Sequence, residues 1–227
     1  MKLSLIIPVY NEEAYIGACL ESVMRQTEQP DEILVVDNNS TDRTAEIVSQ
    51  YPVRILKEEK QGMIPARNAG FNAAQYEIIA RCDADDVLPA DWIARIKRNF
   101  TELKIDALCG PLIYSDLPVK TAIIPNLYLD VVKVLQFGNE TMVGPNMALT
   151  KVMWEQIRDK VCLDDRKVHE DIDLGLKILQ AGGKIYRDRQ LIVHSSARRM
   201  KKRPLSFFVE YPWRFLKTFV HHIWRSS

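Results

Sequence analysis

Three carboxylates fall within four residues at Asp83-Ala84-Asp85-Asp86, directly after an apolar run. Like charges this close repel one another unless water or a cation neutralises them. Carboxylate oxygens suit hard cations such as Mg²⁺ and Mn²⁺, which commonly take phosphate oxygens to complete the shell. In an extended segment Asp83 and Asp85 would point to the same side and share one site. The same spacing also fits a solvated turn with Asp86 as a helix cap. A second polar cluster, Asp37-Asn38-Asn39-Ser40-Thr41-Asp42, ends another apolar run, where Asp37 could accept hydrogen bonds from a base or ribose. Its plainer reading is a turn capped by Ser40 or Thr41. Arg67, near a predicted helix start, could reach a phosphate or a carboxylate, or simply lie on the surface. Glu170, Asp171 and Asp173 open a predicted helix; they favour its dipole, and one turned into a cleft could act as a general base. His194 follows a short apolar strand and is a candidate metal ligand through its neutral imidazole, although a lone histidine is often structural.

These residues lie far apart in sequence and need a frame that gathers loops. Residues 3–9 form a short apolar run of the kind that makes a buried parallel strand. Asn11 is placed to cap the next helix, whose apolar positions Ile16, Cys19, Leu20, Val23 and Met24 recur at helical spacing. The unit repeats. Strands are expected at 32–37, 53–56, 78–82 and 107–109, and helices at 41–50, 65–74 and 89–100. That order predicts an open, mostly parallel α/β sheet with ligand-bearing loops at the carboxyl ends of its strands. Residues 111–145 show no clean periodicity. Helices follow at 151–158 and 170–181, the latter stopped by Gly182-Gly183, with short strands near Ile185 and at 191–193.

The chain has 227 residues, 47% apolar and 27% charged, which excludes wholesale disorder and disulfide miniproteins. Four dispersed cysteines read as reduced and buried. No run resembles a signal peptide or a spanning helix, so a cytoplasmic protein is expected. There is no G-x-G-x-x-G, P-loop, serine elbow or H-E-x-x-H. From Arg198 onward eight Lys or Arg face one acid, Glu210, while acids outnumber bases in the body. Leu216, Phe219, Val220 and Ile223 line one face of a predicted helix beyond Trp213. This basic amphipathic tail, residues 198–227, suits an anionic membrane surface or packing on the body or a second subunit. Nucleic acid is not an expected partner.

In this order the motifs resemble the family 2 glycosyltransferases, which have the GT-A fold. The resemblance runs from Ile6-Ile7-Pro8-Val9-Tyr10-Asn11-Glu12-Glu13 through residues 32–42, Ala66-Arg67-Asn68-Ala69-Gly70 and Asp83-Ala84-Asp85-Asp86 to Glu170-Asp171 and Gly182-Gly183. It covers about residues 1–195. It implies a Rossmann-like central sheet flanked by helices. A nucleotide-sugar half would span 1–110 and an acceptor half 111–197 of the same domain, followed by the tail. Pro8, Tyr10 and Glu12 would lie on the first nucleotide loop, Asp37 would bind the base and Arg67 would help hold the nucleotide. Asp83 would contact ribose or metal, and Asp85 would ligate Mn²⁺ or Mg²⁺ across the diphosphate, with His194 as a further metal or diphosphate contact. Asp171 would be the catalytic base, Glu170 the alternative, and Asn146 of Gly144-Pro145-Asn146-Met147-Ala148 a sugar contact. The implied activity is metal-dependent, inverting transfer from a nucleotide-sugar, a UDP-sugar favoured, to a glycan or polyprenyl-linked acceptor. That would place the protein on the inner face of the cytoplasmic membrane. Competing readings are an inactive membrane-associated scaffold and a sugar-nucleotide pyrophosphorylase. The first loop lacks the Gly- and Arg-rich character expected of the latter.

Overall fold

The computed structural model describes residues 1–117, 121–164, 168–198, 201 and 218. Strand β1 (Leu3–Val9) is buried along its whole length and forms the centre of the molecule. It pairs in parallel with β2 (Glu32–Asp37) on one side and β4 (Ile78–Arg81) on the other. The outer strand β3 (Arg54–Lys57) carries charged ends at an edge, where they discourage further pairing. Beyond β4 lie β7 (Met147–Thr150), β5 (Ala107–Cys109) and β8 (Ile185–Arg187). Strand β7 runs antiparallel to both of its neighbours, and the remaining pairings of this sheet are parallel. The expected mostly parallel sheet is therefore found. Its fifth strand in sequence, β5, sits one place further out because β7 inserts between it and β4. A small second sheet joins β6 (Leu112–Tyr114) to β9 (Val193–Ser195).

Period-two alternation divides the core between the two faces. Leu3, Leu5, Ile7 and Val9 meet helix α1 (Ile16–Met24), α2 (Thr44–Val48) and α4 (Trp92–Glu102). Ile6, Leu34 and Val36 meet α3 (Met63–Ala73), α6 (Lys151–Ile157) and α7 (Glu170–Gln180). Helix α3 lies unusually close: a Cβ on Gly70 would stand 2.3 Å from Ile6 Cγ2 and 3.0 Å from Val36 Cγ2. Another helix, α5 (Ile123–Leu135), occupies the segment where the sequence shows no periodicity.

Several local expectations are corrected. Asn11 does not cap α1, which begins five residues later. It adopts φ 53° and accepts a hydrogen bond from Thr41 N at 2.8 Å, tying the first loop to the second. Helix α2 starts at Thr44, whose N–H donates to Asp42 Oδ1, so neither Ser40 nor Thr41 is its cap. Cys19, Cys82 and Cys109 are buried and free as expected, but Cys162 is partly exposed. Beyond the scattered described positions Arg198, Lys201 and Thr218, the expected tail helix lies outside the described residues. No described helix is long and apolar enough to cross a membrane.

Candidate active site

The chain passes from β1 outward to β2 and β3, then returns to β4 on the opposite side of β1. Reversal of strand order at this point leaves a crevice at the carboxyl ends of β1, β2 and β4. The polar clusters of the sequence sit there. Tyr10, the first residue past β1, is 49% exposed. Pro8 is buried within β1 opposite Val36, and Asp37 ends β2, where it is nearly buried and accepts from Ser40 N at 3.0 Å. Asn38 pins the third loop by donating to Glu58 O and Lys60 O, both at 2.8 Å, and accepting from Gly62 N.

The acidic cluster forms a tight turn rather than an extended segment. Asp86 N donates to Asp83 O at 3.1 Å, and Asp83 N donates to Asp86 Oδ2 at 2.6 Å. Burial, then the neighbouring Asp83 charge, pushes the Asp86 carboxyl well above the usual range. Asp83 and Asp85 each pair with a different arginine. Asp83 Oδ1 accepts from Arg81 Nη2 at 2.9 Å. Asp85 Oδ2 accepts from Arg198 Nε at 2.9 Å, while Arg198 Nη2 donates to Glu12 Oε1. The Arg198 guanidinium also lies 4.4 Å from the centre of the Tyr15 ring. Glu12 and Asp85, distant in sequence, thus converge on one positive charge.

Arg81 ends β4 fully buried and links this turn to α7. It donates through Nη1 to Glu170 Oε1 at 2.9 Å, and the same nitrogen stands 3.8 Å from Asp171 Oδ1. Arg67, expected near a helix start, sits inside α3, 1% exposed, with Nη1 3.5 Å from Glu170 Oε2. Burial tends to raise the Glu170 carboxyl, but Arg81 and then Arg67 hold it below its ordinary range. Asp171 has the opposite balance. Burial, followed by the Glu170 charge, pushes it up to about 6. Its Oδ1 is buried and accepts no hydrogen bond from the described residues. Gly144 leaves room for this carboxylate, since a Cβ there would fall 2.7 Å from each Asp171 oxygen. Two adjacent acids therefore differ: one is locked as an anion, the other is poised to exchange a proton near neutral pH.

Asn146 departs from the expectation of a sugar contact. It is fully buried, accepts from Trp92 Nε1 at 2.9 Å, and donates to Pro111 O and Leu191 O. Its amide is spent on joining the loops beneath the crevice. His194 is exposed on β9, and its backbone pairs with that of Val87, two residues past Asp85. Among the described residues no three His, Cys, Asp or Glu side chains converge as a metal cluster. A hard cation commonly needs only one or two protein carboxylates when a diphosphate supplies other oxygens, so the donor set fits such an ion. Three residues escaped sequence reasoning: Arg81, Arg198 as partner of the acids, and Gly144. A charge at the end of an otherwise apolar strand was the available signal for Arg81.

A family model described as Glycosyl transferase family 2 matches residues 4–154. Glycosyltransferase GlyG of Streptococcus pneumoniae serotype 4 is 33% identical over 114 residues, which is 48% of this chain and 38% of GlyG. Glycosyltransferase AglE of Haloferax volcanii is 35% identical over 116 residues, 48% of this chain and 38% of AglE. The chain thus spans less than half the length of these curated relatives. Among solved structures, mannosyltransferase PcManGT of Pyrobaculum calidifontis, in complex with GDP-Man and Mn²⁺, is similar with a TM-score of 0.70 at 22% identity. That likeness covers 86% of this chain and 57% of PcManGT. Residues 1–349 of S. aureus TarS, in complex with UDP-GlcNAc, give a TM-score of 0.68 at 22% identity, covering 86% and 58%. At these identities the structural likeness establishes the shared fold, the GT-A architecture expected from the motifs.

Proposed function

The chain belongs to the family 2 glycosyl transferases, and on that premise we propose that it moves a sugar from a nucleoside-diphosphate donor to an acceptor hydroxyl, inverting the anomeric carbon. The observation that carries this reading is Asp171. It is a partly buried carboxylate, its side chain still 13% exposed, pushed up to about 6, and joined through Arg81 to the Asp83 turn. A general base for a hydroxyl needs an accessible oxygen and a pKa near the working pH.

In this reading Tyr10 and Asp37 receive the base, and Glu12, Arg67 and Asp83 shape the nucleotide site. Asp85 and Asp83 would hold Mn²⁺ or Mg²⁺, and His194 would supply a further donor. Asp85 and Glu12 already gather about a positive charge, which favours a cation there. When bound, the ion would neutralise charge collecting on the departing diphosphate. Asp171 takes the proton as the acceptor oxygen attacks the anomeric carbon. The bond to the diphosphate breaks, and its electron pair leaves with the diphosphate. Glu170, held by Arg81 and Arg67, stays ionised and keeps the Asp171 carboxylate basic rather than taking the proton itself.

The solved relatives that hold UDP-GlcNAc and GDP-Man support a nucleotide-sugar donor. A UDP-sugar is the first to try, and a glycan or polyprenyl-linked alcohol is the acceptor class. The test is Asp171→Asn, assayed by nucleoside-diphosphate release and by proton NMR of the product anomer. Turnover should fall by at least about 10²-fold with nucleotide affinity nearly intact. Retained turnover, or a product with retained configuration, would overturn the mechanism.

A further inference from the structure

Helix α5 has two apolar faces, of which the protein uses one. Leu129 and Val132 point into the body and are buried, as is Gln136 just past the helix. On the other side Ile123, Ile124, Leu127, Tyr128, Val131, Val134 and Leu135 are each more than half exposed, and Phe137 beyond them is 94% exposed. At about 100° per residue, the seven helical residues fill one continuous arc of about 140°. No charge interrupts that arc. Of the two charged residues of α5, Asp130 borders the arc and Lys133 lies further round the helix, and both are paired. Asp130 binds Arg187 and Arg189, and Lys133 binds Glu140 at 2.8 Å. A helix apolar on both sides is ordinarily covered on both, and so large an exposed patch marks an interaction surface.

We propose that this face of α5 seats on an anionic lipid bilayer, lying in the interface with its axis along the membrane plane. Its chemistry is that of an interfacial helix: an uncharged apolar arc, an aromatic at its margin in Tyr128, and cations at the rim. Arg189 stands at that rim, its side chain 58% exposed and its backbone carbonyl 3.4 Å from Asn126 Nδ2 of α5. Lys201, half exposed, is fastened to Asp116 at 2.9 Å, seven residues before α5 begins. It belongs to the basic stretch of sequence Arg199, Lys201, Lys202 and Arg203. Cations bordering an exposed apolar arc match anionic headgroups above an acyl boundary, and a polybasic sequence strengthens an otherwise weak apolar contact. None of the exposed apolar residues of α5 belongs to the proposed catalytic or nucleotide-binding set, so the inference stands independently of the proposed reaction.

The test uses the full chain carrying Leu127→Cys in a Cys162→Ser background, labelled at residue 127 with an environment-sensitive fluorophore. On phosphatidylcholine vesicles containing about one-third phosphatidylglycerol, the label should shift to the blue and brighten. It should remain water-like in buffer. In flotation, Leu127→Glu with Val131→Glu should lower vesicle partitioning by at least tenfold while leaving the thermal melt in place. Should that double variant fail to fold, the label decides alone. Vesicle binding with a water-like label would overturn the proposal. So would a label already shielded in buffer, with a monomeric mass if another segment of the chain covers α5 and a dimeric mass if a second copy does.

Discussion

Replacing Arg198 with alanine should tighten divalent-cation binding in the absence of donor. Arg198 is the charge on which Asp85 and Glu12 converge, donating to Asp85 Oδ2 at 2.9 Å and to Glu12 Oε1. The Arg198 side chain is 18% exposed, and those of Glu12 and Asp85 are 12% and 10%, so solvent screens the group only in part. A cation entering between these carboxylates must first displace the guanidinium. Each charge-assisted hydrogen bond at a half-buried site is worth about 1 kcal/mol net of desolvation. Two of them give about 2 kcal/mol of stabilisation that an incoming ion has to replace. At about 1.4 kcal/mol per tenfold, removing the competitor should tighten Mn²⁺ by about 30-fold. Arg198→Lys, which retains a charge but loses the two-pronged fork, should give a smaller gain. The assay is titration of Mn²⁺ into folded protein, following the free ion by electron paramagnetic resonance. Unchanged or weaker Mn²⁺ affinity in Arg198→Ala would refute the reasoning, because the cation would then bind without displacing Arg198.

The remaining predictions concern the base and the loops beneath it. Asp171 acts only when ionised, so kcat/KM should hold level above about pH 6 and fall about tenfold per unit below it. Glu170→Gln removes a neighbouring negative charge and leaves Arg81 and Arg67 acting on Asp171, so this acid limb should move down by about one unit; a stationary limb would assign it to another group. Gly144→Ala places a Cβ against both Asp171 oxygens and should cut turnover at least about tenfold with little change in nucleotide affinity. Full turnover in that variant would mean the carboxylate reacts from elsewhere. Asn146→Ala leaves an indole N–H and two carbonyls without their partner, and urea denaturation should report a loss of about 2–4 kcal/mol. A loss within the scatter of surface substitutions would show that water replaces the amide.

The first half of the chain was readable because β1, β2 and β4 are largely apolar and buried, and each is followed by a patterned helix. Strand β1 and the loops after β1, β2 and β4 follow directly from that alternation. Strands β6 and β7 were not legible, since these short runs sit in or beside a stretch rich in Pro and Gly with no patterned helix between them. Helix α5 was hidden for a different reason: with apolar residues on both faces it offers no contrast for periodicity to detect. At the site, the acids were visible as clusters but their partners were not. Arg81 meets Glu170 across 89 residues and Arg198 meets Glu12 across 186, and nothing local encodes such pairings. Asn146 shows the converse error. A motif singled out Asn146, but burial decided that its amide faces the core.

The central claim is that the crevice binds a nucleoside diphosphate together with a divalent ion. The most direct test is calorimetric titration of the folded protein with UDP, GDP and dTDP, each with Mn²⁺ and again with chelator. The account predicts that one of them, UDP first, binds with Mn²⁺ and loses that binding when the ion is removed. Failure of all three to bind folded protein, or binding indifferent to the chelator, would contradict it.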